Sequence, residues 1–171
     1  MAEPMMIRPE APKDQAAIRT LLQAAFLHHP FSHQTEHLLV DALRVANALL
    51  VSLVAEEAGQ VVGHIAFSDV LIDGHDCGWV GLGPVAARVD RQRQGIGSAL
   101  VRAGLDAVRM LGKRGCVLAG DPAFYARFGF KADERLTLEG VPPQYFLALV
   151  FEGESTPSGA VTFHEAFGIE G

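Results

Sequence analysis

The chain is short of the features that would settle its chemistry at once. It has two cysteines, one tryptophan and two tyrosines in 171 residues. Cys77 and Cys116 have no metal-like spacing and form no framework of pairs, so a disulfide scaffold and a zinc module are excluded and a reducing, cytoplasmic setting is expected. Cations are also few: 14 Lys and Arg against 20 Asp and Glu give a formal charge of −6. That balance argues against a nucleic-acid partner, while leaving room for a local basic patch that binds a phosphate. Long apolar runs are missing as well. Asn47 and Ser52 break the longest one, and MAEPMMIRPE has no apolar core of signal-peptide length, so no membrane partner is expected.

What is present is an ordinary globular composition, 49% hydrophobic and 20% charged, in a length that suits one domain. The domain is expected over 5–171, with 152–171 as a C-terminal hairpin or extension. A first strand is predicted over Met5–Arg8. A helix from about Lys13 to Leu27 carries Ile18, Leu21, Leu22, Ala25 and Phe26 on one face, and Leu38, Leu39, Ala42, Leu43 and Ala46 mark a second. The histidine-rich link between them, His28 to His33, reads as a polar connection or as the rim of a substrate mouth, and no partner completes a metal-ligand set. Strands follow over Leu50–Glu56 and Gln60–Ser68, joined by a tight turn at Glu57-Ala58-Gly59, with a third over Cys77–Ala87. His64, in mid-strand, reads as a sheet histidine with an ordinary partner, and both cysteines read as small core residues.

The region from Trp79 to Val101 is the centre of the pattern. A strand leads through Arg88, Arg91 and Arg93 to Gln92-Arg93-Gln94-Gly95-Ile96-Gly97, and a helix opens near Gly95 with Leu100, Val101, Leu105, Val108 and Leu111 in helical register. Two glycines before a helix N-terminus make a turn suited to an anion, foremost a phosphate. Gly112-Lys113-Arg114-Gly115 ends that helix, and the apolar run Cys116–Ala119 reads as a strand parallel to the earlier one. Asp121-Pro122 opens a short helix carrying Phe124, Tyr125 and Phe128; Tyr145–Phe151 is a further strand, and Val161–Phe163 a last edge strand. The fold class is α/β, a mixed and largely antiparallel sheet with helices on both faces. The glycines come too late for a dinucleotide fingerprint, and no lysine follows them as a P-loop requires.

Leu82-Gly83-Pro84-Val85-Ala86 followed by Gln92-Arg93-Gln94-Gly95-Ile96-Gly97-Ser98 resembles the acetyl-CoA-binding segment of the GNAT acetyltransferases. Gly120 to Phe130, ending in the Tyr-x-x-x-Gly-Phe pattern, resembles that family's later segment. Val141 to Leu149 and the tail from Gly159 to Phe167 are similar to the bacterial YhbS-like branch. The resemblance implies a sheet splayed at the cofactor site, with acetyl-CoA as co-substrate and no metal. It implies cofactor contacts from Val85, Ala86, Ala87, Gln92, Arg93, Gln94, Gly95, Ile96, Gly97, Ser98 and Tyr125. Arg88, Arg91 or Arg102 would meet a 3′-phosphate. The Val85 N–H would be the oxyanion donor and Tyr125 the general acid, or the hydrogen-bond donor to the thiolate. The motif strand has no carboxylate between Gly78 and Gly83, which leaves Glu36, His33, His64 and Asp69 as candidate bases, Glu36 the one put forward. The implied activity is N-acetyl transfer to a small-molecule or protein amine; the alternative is a non-catalytic acyl-CoA-binding or sensing module. The C-terminal strands offer a pairing edge for a homodimer.

Overall fold

The structure, a computed structural model, describes residues 4–29, 32 and 34–168. His33 of the histidine-rich link lies outside them. A seven-stranded sheet runs in the order β1-β2-β3-β5-β6-β9-β7. Its strands are β1 (Met6–Pro9), β2 (Val51–Glu57), β3 (Gln60–Asp69), β5 (Trp79–Ala87), β6 (Gly115–Ala119), β7 (Lys131–Ala132) and β9 (Phe146–Val150). Only β5 and β6 pair in parallel; the other contacts of this sheet are antiparallel. The β2–β3 turn puts Ala58 and Gly59 at φ 52° and 77°, the left-handed pair of a two-residue hairpin whose twist matches its strands.

Helix α3 (Ile96–Met110) covers one face; α1 (Gln15–Phe26) and α2 (Glu36–Val45) cover the other. The first helix starts at Gln15, two residues after the expected start at about Lys13. Asp14 accepts from the Ala11 N–H at 2.6 Å and from Arg8, which tightens Pro12–Asp14 into a 3₁₀ turn ahead of α1. Under α3 the core gathers Leu53, Ile65, Phe67, Leu82, Leu100, Leu105 and Val108. On the other side Ile18, Leu21, Leu22, Val40 and Leu43 close over Val54 and Ala86.

A second, three-stranded sheet has the order β4-β10-β8, formed by β4 (Leu71–Ile72), β8 (Leu136–Thr137) and β10 (Gly159–Thr162). The C-terminal strand is therefore not an edge strand: β10 has β4 on one side and β8 on the other. Asp73 fixes it there, its N–H and carboxylate both bonding Ala160 at 2.8 Å. A separate apolar cluster of Val70, Ile72, Trp79, Leu136, Phe146 and Val161 joins this sheet to the main one. β8 pairs with β10 at Gly159 and Ala160, and β4 pairs with it at Val161 and Thr162. No helix among the described residues is long and apolar enough to cross a membrane.

Candidate active site

The parallel pairing of β5 with β6 stops early. It holds Trp79 to Gly115, Val80 to Cys116 and Gly81 to Val117, and nothing beyond. Past that point β5 pairs only with β3, while Leu118 and Ala119 of β6 pair only with β9. The two strands diverge and leave a V-shaped opening along Leu82–Ala87. Proline has no N–H for a ladder and favours bulges. The β3–β5 register accordingly slips between Ile65↔Val85 and Phe67↔Leu82, so Gly83 and Pro84 together face the single Ala66. The extra residue switches side-chain parity. Leu82 and Val85 thus both pack toward α3, although three positions separate them.

The hydrogen-bond phase decides which backbone groups face the opening. The Arg88 N–H donates to the Val62 carbonyl at 2.8 Å. Alternation along an antiparallel ladder then gives the Ala86 groups to His64 and turns those of Val85 and Ala87 outward. Gln92 confirms the direction, with its Nε2 3.4 Å from the Ala87 carbonyl. The expected backbone trio therefore reduces to Val85 and Ala87; Ala86 is engaged by β3.

The glycine-bearing turn lies at the N-terminal end of α3. Gly95 caps the helix at φ 84°, a conformation that excludes most side chains, and Arg93 stands at φ 65°. No acidic residue occupies the first turn. The N–H groups of Ile96, Gly97 and Ser98, in that turn, have no carbonyl one turn earlier. A Cβ on Gly97 would meet nothing nearer than Phe124 Cζ at 4.0 Å, so this side of the turn is open. The nearby arginines separate by role. Arg91 is engaged by the Glu57 carboxylate, which it holds below the usual range, and by Gln94 Oε1 at 2.8 Å. Arg88 is engaged by Asp90 at 2.6 Å and Gln60 at 2.8 Å. Arg102 lies over the Phe128 ring, 4.9 Å from its centre. Arg93 forms no ion pair among the described residues, so it, rather than Arg88 or Arg91, is the cation held in reserve at the turn.

Tyr125 closes the constellation from the β6 side. Helix α4 (Pro122–Tyr125) is capped by Asp121, whose carboxylate accepts the Ala123 N–H at 2.9 Å. The Tyr125 ring lies on Gly120, where a Cβ would come within 2.6 Å of its Cε2, and edge-on to Phe124 with centroids 4.8 Å apart. Phe124 in turn neighbours Gly97, which ties α4 to the turn. Burial first, then Cys116 and Asp121, push the Tyr125 hydroxyl up to about 12, so it stays protonated at neutral pH. Cys116 is fully buried and its thiol is pushed up by desolvation, which leaves it inert.

The candidate bases are dispersed. Glu36 begins α2 and accepts the Ser32 hydroxyl on both carboxylate oxygens at 2.7 Å. Asp69 pairs with Lys113 at 2.8 Å, beyond the far end of α3 from the turn. His64 is buried on the α1–α2 side with Ser52 at Nε2, 2.9 Å away. Two features had no signal in the sequence. One is the network that joins Ser52 to Glu10 and Arg44. The other is Phe163, whose ring lies so close over β5 that a Cβ on Gly81 would sit 2.5 Å from it. Among the described residues no group of three His, Cys, Asp or Glu is placed to hold a metal.

Known proteins share this arrangement. Residues 49–132 match the acetyltransferase (GNAT) domain model. The chain is 36% identical over 169 residues to the uncharacterised N-acetyltransferase YhbS of Escherichia coli, covering 95% of this chain and 98% of that protein. A GNAT family acetyltransferase from Brucella melitensis, crystallised in complex with acetyl-CoA, superposes with a TM-score of 0.87 at 52% identity, covering 96% of this chain and 99% of the other. YhbS itself, crystallised with CoA, superposes with a TM-score of 0.88 at 35% identity over 100% of this chain and 96% of its own. The splayed sheet, the turn before α3 and the whole-length similarity lead to one assignment: the chain belongs to the GNAT acetyltransferase family.

Proposed function

We propose that the protein is an acetyl-CoA-dependent N-acetyltransferase, in which a primary amine attacks the thioester directly. The observation that carries this reading is the one-sided opening of β5, with Val85 and Ala87 backbone groups facing into it between the α3 turn and Tyr125. Two relatives that superpose over nearly the whole chain were crystallised with acetyl-CoA and CoA, and this chain's residues fit the same molecule. A pyrophosphate suits the N–H groups from Arg93 to Ser98, with the Arg93 guanidinium nearby and Gln92 and Gln94 at the entrance. The pantetheine amides suit the outward N–H and C=O of Val85 and Ala87, as an added strand on an exposed edge.

In the transfer, the Val85 N–H faces the oxygen that gains charge as the amine attacks. Tyr125 serves the departing sulfur. A hydroxyl at about 12 against an ordinary thiol of about 8.5 makes complete proton transfer uphill. Tyr125 therefore stabilises the thiolate as a hydrogen-bond donor rather than by surrendering its proton. The acceptor is an amine of a small molecule or a protein. The two free cysteines suit a reducing compartment, and we place the protein in the cytoplasm.

Calorimetry with acetyl-CoA, followed by thiol release over a panel of arylalkylamines, polyamines and lysine peptides, tests the reading. Binding together with acceptor-dependent thiol release supports it. Binding with no release on any amine would identify an acyl-CoA-binding module instead.

A further inference from the structure

Transfer requires the acceptor ammonium to lose a proton, and the opened strand carries no carboxylate. Two buried side-chain atoms among the described residues have no hydrogen-bond partner: His64 Nδ1 and Ser68 Oγ. Both residues are 0% exposed and both belong to β3. Phe67, between Ala66 and Ser68, points at α3, where Gly104 admits its ring, so His64 and Ser68 point to the opposite face. Their cross-strand partners are Ala86, within the opened stretch of β5, and Gly81, the last residue of β5 still paired with β6. Buried polar groups left without protein partners are ordinarily met by water.

The hydrogens of this network can be assigned by elimination. Arg44 holds the Glu10 carboxylate with Nη2 at 3.1 and 3.0 Å and Nε at 3.2 Å, which keeps Glu10 an acceptor only. The Ser52 hydroxyl has a single proton and donates it to Glu10. Ser52 Oγ therefore accepts at its 2.9 Å contact with His64, so Nε2 carries the imidazole hydrogen. The Nδ1 lone pair is bare, with a serine and a carboxylate lined up behind the ring. Burial, then Arg44, push His64 down to about 3, so the ring is neutral at rest and holds no proton for long. The charged groups of this network are Glu10, from the β1–α1 connection, and Arg44 of α2, whose Nη1 also holds Asp41 at 2.9 Å. Arg19 of α1 pairs with that Asp41; α1 otherwise presents Ile18, Leu21 and Leu22 on that face, and β5 presents Ala86. Glu10, Gln15, Arg44, Asn47, Leu49 and Ser52 also line a surface cleft of about 300 Å³, so the chain of bonds ends at solvent.

We infer that His64, Ser52 and Glu10 form the route by which the acceptor amine's proton leaves the site. Strands lie about 4.8 Å apart and the opening is on the far side of β5, so the proposal places ordered water between the ammonium and Nδ1. As that water delivers a proton to Nδ1, the Nε2 proton passes to Ser52 Oγ, and the Ser52 proton passes to Glu10. Glu10, which lines the cleft, releases it to solvent there. The sum is ammonium to amine plus one proton in solvent, with the ring left carrying its hydrogen on Nδ1 until it reorients for the next turnover, and with no change of oxidation state. His64 takes the proton from water; Ser52 and Glu10 relay it onward and touch neither substrate nor cofactor.

The inference rests on the transferase reading, and its test separates the two. Ser52→Ala, Ser52→Thr and His64→Gln are compared with wild type by kcat and KM against pH. The route predicts a roughly 100-fold fall in kcat for Ser52→Ala and His64→Gln at neutral pH, the low end of general-base contributions. KM for acetyl-CoA stays unchanged, the deficit closes as pH approaches the amine's own pKa, and Ser52→Thr restores most of the rate. A deficit that is equal at every pH, or wild-type kcat in both variants, overturns the route. Imidazole nitrogen NMR of the free protein reads the tautomer without any turnover. Hydrogen on Nε2 supports the route, and hydrogen on Nδ1 overturns it even if wild type transfers acetyl groups normally. A wild-type protein that acetylates no amine refutes the transferase reading, and the route with it.

Discussion

Replacing Tyr125 by phenylalanine removes one oxygen and leaves the ring in place. That ring is held by Gly120, Phe124, Phe128 and Phe130, contacts phenylalanine keeps. The fold should therefore be insensitive to the change, with a melting temperature within about 4 °C of wild type, since less than about 1 kcal/mol is at stake. Acetyl-CoA affinity should also hold, because an intact thioester sulfur bears no charge for the hydroxyl to meet. The loss falls on the departing thiolate. A hydrogen bond to a charged group contributes about 1.5–3 kcal/mol. At about 1.36 kcal/mol per tenfold, that predicts a 10- to 150-fold fall in kcat. The hydroxyl sits at about 12, so it is protonated throughout the working range and the wild-type to Tyr125→Phe ratio should be flat from pH 6 to 9. Thiol release measured at saturating acetyl-CoA gives kcat, and calorimetry gives affinity. A variant as fast as wild type, or one whose deficit appears only in affinity, would show that Tyr125 packs the site and does not serve the sulfur.

Arg93→Ala should weaken acetyl-CoA binding by about tenfold and make it less sensitive to salt, because this arginine lacks the ion pairs that occupy Arg88 and Arg91; titration at two ionic strengths reads both effects. Gly104→Ala gains about 1 kcal/mol of helix propensity, yet its Cβ would lie 2.7 Å from Cζ of the fully buried Phe67 ring. Overpacking costs about 1–3 kcal/mol, a net loss of up to about 2 kcal/mol, so thermal unfolding should drop by up to about 8 °C. Acid sensitivity should trace to His64. Its pKa lies at about 3 in the fold and 6.5 ordinarily, so the unfolded chain binds more protons between those values and stability falls as pH drops through that window. Denaturant unfolding of His64→Gln should show a shallower slope from pH 6 to 4.

The turn and the short helix were legible in the sequence because their physics is local. Gly95 and Gly97 before an amphipathic helix, and Asp121-Pro122 before another, announce themselves within a few residues. The order of strands and helices followed from periodicity for the same reason. Arg88, Arg91 and Arg93 look alike in sequence, and their difference lies in Gln60 and Glu57, about thirty positions away, which claim the first two. The expectation of three backbone contacts at Val85, Ala86 and Ala87 failed at Ala86 because hydrogen-bond phase is a property of the strand pair. The edge reading of the last strand failed because β4 and β8, each two residues long, are too short to register as partners.

By itself the sequence determined the family, the order of the longer elements and the glycine-bearing turn before α3, each encoded by neighbours in the chain. Only the tertiary structure decided which face of β5 is open, which arginine remains uncommitted and how the hydrogens of Glu10, Ser52 and His64 are ordered. Those depend on groups brought together across 42 and 12 positions of sequence, and no local pattern records such distances.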